Sequence, residues 1–173
     1  MALEHTLYAK GDSLDKMLTD KGWRKTVDEA HAGDWQSFNE TEQKLKDGTA
    51  TTITAKFSGD YTSIFDYDTE TEVYKKRDHK DWRSGNEISV KNVVVLFTPL
   101  TSFEDGYRVK VGLDSGHGYY FSSGTYQKIN WSKGDATDGF KFTDESGAPI
   151  GYNPGNSWVC IVSRGMEGYF SFE

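Results

Sequence analysis

The spacing of apolar positions changes near residue 48. Before that point Leu14, Met17 and Leu18 share one face at helical spacing. Asp12 or Ser13 stands where an N-cap belongs and Gly22 where a helix stops, so a short helix is expected between them. Trp23, Trp35 and Phe38 follow among acids and lysines, and a second short helix is expected over 34–45. Lys46-Asp47-Gly48 is a turn signal that closes this helical lead-in of residues 1–48.

From Thr49 the period becomes two. Ile53, Ala55 and Phe57 alternate with polar residues in a Thr-rich run, as a half-buried strand requires. Ser58-Gly59-Asp60 turns the chain into a strand over 61–67, and residues 68–71 turn it again into Val73-Tyr74. Residues 88–97 are apolar on both faces, which predicts the most central strand. Tyr107, Val109, Val111 and Leu113 alternate after a loop at 103–106. Gly116-His117-Gly118 is expected to turn the chain into 119–122, and Ser123-Gly124 into 126–131. Short strands are expected at 140–143 and 149–152, and Asn153-Pro154-Gly155 then turns into a strand over 157–162. Strands at this spacing predict a mainly β domain over residues 49–173, an antiparallel sandwich or open barrel, with the short helical segment ahead of it.

Composition narrows the reading. The hydrophobic fraction is 35%, with 18 glycines, 3 prolines and 14% aromatics, the profile of a turn-rich folded chain rather than a disordered one. The net charge of −7 repels phosphate backbones, so no nucleic-acid partner is expected. The apolar run at 93–97 is too short to cross a bilayer. Residues 1–10 lack the basic flank and apolar stretch of a signal peptide. Cys160 is the only cysteine, and His5, His31, His79 and His117 are too far apart in sequence for a local ligand motif, so no metal is expected.

Other motifs fall short of chemistry. Asp66-Tyr67-Asp68-Thr69-Glu70 alternates carboxylates as calcium loops do, but Thr71 and Arg77 stand where an EF-hand needs Gly and Glu. Asp135, Asp138, Asp144 and Glu145 read as solvated loops. Gly116-x-Gly118 precedes aromatic strand residues rather than a helix, so it is no phosphate cradle, and no cofactor is expected. Trp82, Tyr119, Tyr120, Phe121, Tyr126 and Trp131 are read mainly as core, with at least one ring of 119–121 on an outer face.

An ordered series of small pieces reaches further. It runs Tyr74, His79-x-Asp81, Ser84-Gly85 and Asn92-Val93-Val94-Val95, then Gly116-x-Gly118, Phe121-x-Ser123-Gly124 and Ile129-x-Trp131-x-Lys133. It ends with Phe140, Asp144-x-x-Gly147 and Asn153-Pro154-Gly155-x-x-Trp158-Val159-x-Ile161-Val162. This series resembles the C-terminal domain of the YerB-like bacterial lipoproteins, a family of unknown function. His5-Thr6-Leu7-Tyr8 and Lys21-Gly22-Trp23 are similar to the stretch that leads into that domain. Two departures stand out: Lys76 takes the place of the Arg in the family's Tyr-x-Arg piece, and Thr6 follows His5 where Asn is common.

The resemblance implies a lipid-anchored protein on the outer face of the bacterial cytoplasmic membrane. Its anchor cysteine would lie upstream of this chain, which is read as a C-terminal fragment or a shortened form. The family carries no established reaction. The expected function is therefore a non-catalytic binding or scaffolding module that contacts another cell-envelope protein or cell-wall glycan. The alternatives are a hydrolase of envelope polymers and a structural support for a missing N-terminal domain. The candidate ligand-binding residues are His79, Asp81, Asn92, His117 and Trp131; Asn92 and the His79–Asp81 pair are also suited to tying down loops.

Overall fold

The computed structural model describes residues 10–26, 37–77, 85–135 and 138–173, and the backbone alone of 78–80. The chain forms two compact units, residues 1–35 and 36–173. In the first, helix α1 spans Gly11–Asp20. Lys10 occupies its N-cap without a side-chain bond, so the cap expected of Asp12 or Ser13 is not used. Gly22 takes a φ of 63°, which ends the helix where the sequence places its stop. Leu14 and Met17 are exposed.

The second unit is mainly β, with two larger sheets and no closed barrel. Its strands are β1 (Gly48–Thr49), β2 (Thr52–Lys56), β3 (Thr62–Asp68), β4 (Val73–Lys80), β5 (Glu87–Val90), β6 (Asn92–Thr98) and β7 (Leu100–Ser102). They continue with β8 (Val109–Val111), β9 (Ser115–Ser122), β10 (Thr125–Ser132), β11 (Lys141–Thr143), β12 (Ser157–Ser163) and β13 (Ser171–Phe172). A 3₁₀ helix, Arg164–Tyr169, joins the last two. Sheet I has the order β1-β10-β9-β6-β12, with β11 also on β10; sheet II has the order β13-β2-β3-β4-β5. Pairing is antiparallel except between β6 and β12, which run parallel.

Three expectations change on contact with this architecture. Residues 88–97 form two strands in different sheets, because the chain turns a corner at Lys91 between β5 and β6. Residues 37–45 form no helix: Phe38 bridges Tyr152, and Leu45 packs under sheet I. The change of unit therefore falls before residue 37, ahead of the change in sequence character at 48. Gly116-His117-Gly118 lies inside β9 rather than in a turn. A Cβ on Gly116 would sit 2.7 Å from the Trp131 ring, and one on Gly118 only 2.0 Å from the Val95 carbonyl oxygen. These glycines therefore let neighbouring groups close on the strand, a role they share with turn glycines in sequence alone.

Two cores flank sheet I. Between the sheets lie Ile53, Ala55, Phe65 and Tyr74 of sheet II against Val93, Val95, Phe97, Phe121, Cys160 and Val162 of sheet I. On the other face, Val94, Leu96, Tyr120, Ile129 and Trp131 are covered by Leu45, Phe142 and Tyr152. Every residue of β6 is buried, which accounts for its apolar run. Replacing Gly118 by Ala should cost about 1–3 kcal/mol through overpacking. Gly59→Ala, with open space around it, should stay within about 0.5 kcal/mol of the parent. Urea denaturation of both variants checks the contrast.

Candidate functional site

Asn92 opens β6 with its side chain fully buried. Its amide donates to the Asn153 carbonyl at 2.9 Å, and its Oδ1 accepts from the Tyr120 hydroxyl at 2.7 Å. That hydroxyl accepts in turn from the Asn153 backbone N–H at 2.8 Å. The buried Asn153 side chain donates to the Gln43 carbonyl and to Ser122 Oγ, and accepts from Asn39 and from the Gln43 N–H. The network ties 39–43 and 153–156, two irregular segments, to the strands they cover. Asn92 therefore has its amide bonds committed to structure.

His117 stands elsewhere, on the exposed part of β9. Its Nε2 lies 2.7 Å from Glu167 Oε1 on the 3₁₀ helix, and its ring lies 5.4 Å from that of Phe97. Register places Asn130 opposite His117 and Lys128 opposite Tyr119. With Glu145 these side chains line an open groove of about 240 Å³. Lys128 Nζ is 4.0 Å from Glu145 Oε1 across it. The groove offers hydrogen-bonding groups of both polarities around one aromatic ring.

Trp131 is on the opposite face of β10, 2% exposed in the second core, with Nε1 donating to the His117 carbonyl at 3.1 Å. It supports the His117 backbone and offers no ring to a ligand. Asp81 lies outside the described residues, as does the side chain of His79, whose backbone belongs to β4. The five candidates are thus not drawn into one site: Asn92 and Trp131 are internal, and His117 alone among the described three faces solvent. No group of three or more His, Cys, Asp or Glu side chains among the described residues is placed to hold a metal ion.

Three features escape the sequence reading. The β7–β8 hairpin carries an uncovered apolar face: register sets Leu100 beside Val111, with Val109 on the same side. Val109 is 52% exposed, Val111 37% and Tyr107 at the tip 93%. Alternation signalled a strand at 109–111 but not that nothing would cover it. The Asp144 loop is the second feature. Asp144 is nearly buried, 2.5 Å from Lys46 Nζ, and accepts from the N–H groups of Ser146 and Ala148 and from the Ser146 hydroxyl. These bonds, that of Lys46 first, hold its carboxyl far below the usual carboxylate range. The third is Lys76, whose place two residues after Tyr74 puts it on the inner face of β4.

Taken together, the described residues define a two-sheet β module whose most polar interior feature is structural. The chain belongs to a family of proteins of unknown function: residues 51–159 match the model described as "Protein of unknown function (DUF3048) C-terminal domain". The fold is also that of the YerB protein from Bacillus subtilis, with a TM-score of 0.70 at 18% identity. The match covers 94% of this chain and 53% of that one, so the chain spans about half the length of the YerB structure. No curated protein matches the chain.

Two outcomes follow from the polar groups. Tyr120→Phe removes the hydroxyl shared by Asn92 and Asn153 and leaves both unsatisfied, at an expected cost of about 1–3 kcal/mol in denaturant titration. The Asp144 carboxyl is depressed in the folded state, so its stabilising contribution is complete above the ordinary carboxylate pKa. It is lost as pH falls through the folded value. Thermal melts from pH 6 down to pH 2 should therefore show a smaller acid-induced fall in melting temperature for Asp144→Asn than for the parent.

Proposed function

We propose that the chain is a non-catalytic binding module of the bacterial cell envelope, the extracytoplasmic part of a lipid-anchored protein. Its partner is another envelope protein, met through the β7–β8 hairpin. The observation that carries this reading is the hairpin's bare apolar face. Among eleven exposed large apolar side chains in the described residues, Phe103, Tyr107, Val109 and Val111 share this one short element. Soluble domains rarely leave apolar residues grouped in this way unless a partner covers them. Arg108, 4.9 Å from the Phe103 ring and 2.5 Å from Asp105, gives the tip a polar rim. The location rests on the resemblance to YerB-like lipoproteins.

Cell-wall glycan is a second reading, favoured by the His117 groove, where an aromatic ring sits among donors and acceptors suited to sugar hydroxyls. A hydrolase receives less support. His117 pairs with a half-exposed carboxylate, and no hydroxyl or thiol nucleophile is bonded to it among the described residues.

The test is retention of the purified domain on detergent-solubilised envelope proteins and, separately, on isolated peptidoglycan. The protein reading expects retention on the first, reduced at least about tenfold by the double variant Val109→Lys, Val111→Lys. Both positions are exposed, so the melting temperature should barely move. Retention on peptidoglycan alone, lost in His117→Ala, would favour the glycan reading. Equal retention of parent and hairpin variant on the protein fraction would rule the hairpin out as the contact.

A further inference from the structure

Strand β12 lies at the edge of sheet I. Its ladder is the parallel pairing with β6, and among the described residues no backbone group bonds its other side. A strand paired on one side turns its remaining N–H and C=O groups outward. The segment Ser157-Trp158-Val159-Cys160-Ile161-Val162-Ser163 holds no charge and no proline. Natural edges are usually guarded by one or the other, and an unguarded edge is a template for an added strand. Val159 is 41% exposed along it.

A separate observation lies just behind this edge. The Lys76 ammonium of β4 sits 5.6 Å from the centre of the Trp158 ring, and the residue is only 4% exposed. Among the described residues its Nζ has no hydrogen-bond partner, and neither has Ser63 Oγ, buried on the same inner face of sheet II. Phe65, two residues from Ser63, is the register partner of Lys76 and packs on Trp158 at 6.0 Å. Lys76 and Phe65 thus meet at Trp158, where β3 and β4 face β12. Burial pulls the Lys76 pKa below its ordinary value. A buried ammonium without a counter-charge is costly, and a ring face offsets only part of that cost. Trp158, the ring over the ammonium, is half-buried and belongs to the strand that carries the free edge.

We propose that the β12 edge docks an extended peptide segment of a partner protein, one of whose acidic side chains reaches the Lys76 ammonium. Main-chain bonds to β12 supply affinity that is indifferent to sequence, and Lys76 supplies the selection. A carboxylate there provides the missing counter-charge. A peptide with no acid at that position leaves the ammonium unpaired, and a basic one is repelled. This contact is distinct from the β7–β8 hairpin and does not depend on it.

Selection of a phage-displayed random dodecapeptide library on the purified chain tests the idea. Enriched clones should carry Asp or Glu among β-branched residues. A synthetic copy of one, blocked at both ends, should bind about tenfold more tightly than its Gln or Asn counterpart, the difference expected of one charge-assisted bond. Its binding should slow hydrogen exchange of amides in 157–163. Lys76→Met replaces an unpaired buried charge by an apolar chain of similar shape and should fold at least as stably. It should also bind the acidic peptide and its amide counterpart equally. Failure to enrich any clone, enrichment without acids, or binding that leaves 157–163 exchanging as before would each overturn the proposal. So would discrimination that survives in Lys76→Met. Because the hairpin variant keeps β12 intact, its binding of the same peptide separates this site from the hairpin contact.

Discussion

The β unit depends on a strand that has no solvent face. Val93 to Phe97 of β6 are fully buried, with alternate side chains entering opposite cores. Each such side chain gains roughly 1.5–3 kcal/mol only if something apolar covers it. One side is covered by sheet II, which the chain reaches through the corner at Lys91. The other is covered by segments with little regular structure, residues 38–45 and 140–152. Irregular backbone over an apolar face brings polar groups that no ladder satisfies. Asn92, Tyr120 and Asn153 answer that need, and the buried polar network thus follows from burying β6 twice.

A strand committed on both faces leaves interaction to the places where the sheets stop. The β7–β8 hairpin is inserted between β6 and β9, anchored at its base by bonds from Thr98 and Gly112. The His117 groove lies toward the β10–β11 side of sheet I, and the β12 edge lies at its other end. Each is held in place by a layer whose strands also build the core. Among the described residues, Lys76 Nζ and Ser63 Oγ are polar atoms inside the sandwich without a hydrogen-bond partner.

Much of the architecture was legible in the sequence. Period-two alternation marked β2 and β8, turn signals marked β3, β10 and β12, and the double-faced apolar run marked β6. What failed did so for identifiable reasons. Apolar character cannot show that a run changes sheets, so β5 and β6 read as one strand. Glycine marks a missing side chain without saying why, so Gly116 and Gly118 read as a turn. Of the candidate site residues, Trp131 proved to be core and Asn92 a structural tie, while His117 stayed at the surface. Polar residues in an ordered motif series look alike whether they serve a ligand or a loop.

The sequence by itself determined the mainly β class, an apolar run buried on both faces at 92–98, the helix stop at Gly22 and membership of the YerB-like family. All of these rest on local periodicity, turn chemistry or ordered residue identity, which a one-dimensional string carries. Only the tertiary structure decided which apolar positions are covered and which polar groups find partners. Val109 and Val111 alternate much as Ile53 and Ala55 do, yet the first pair lies bare and the second is core. Lys75 and Lys76 are the same residue type side by side, yet one pairs with Asp68 at the surface while the other is enclosed beside Trp158. The difference lies in what packs across from each position, and that depends on contacts between residues far apart in the chain.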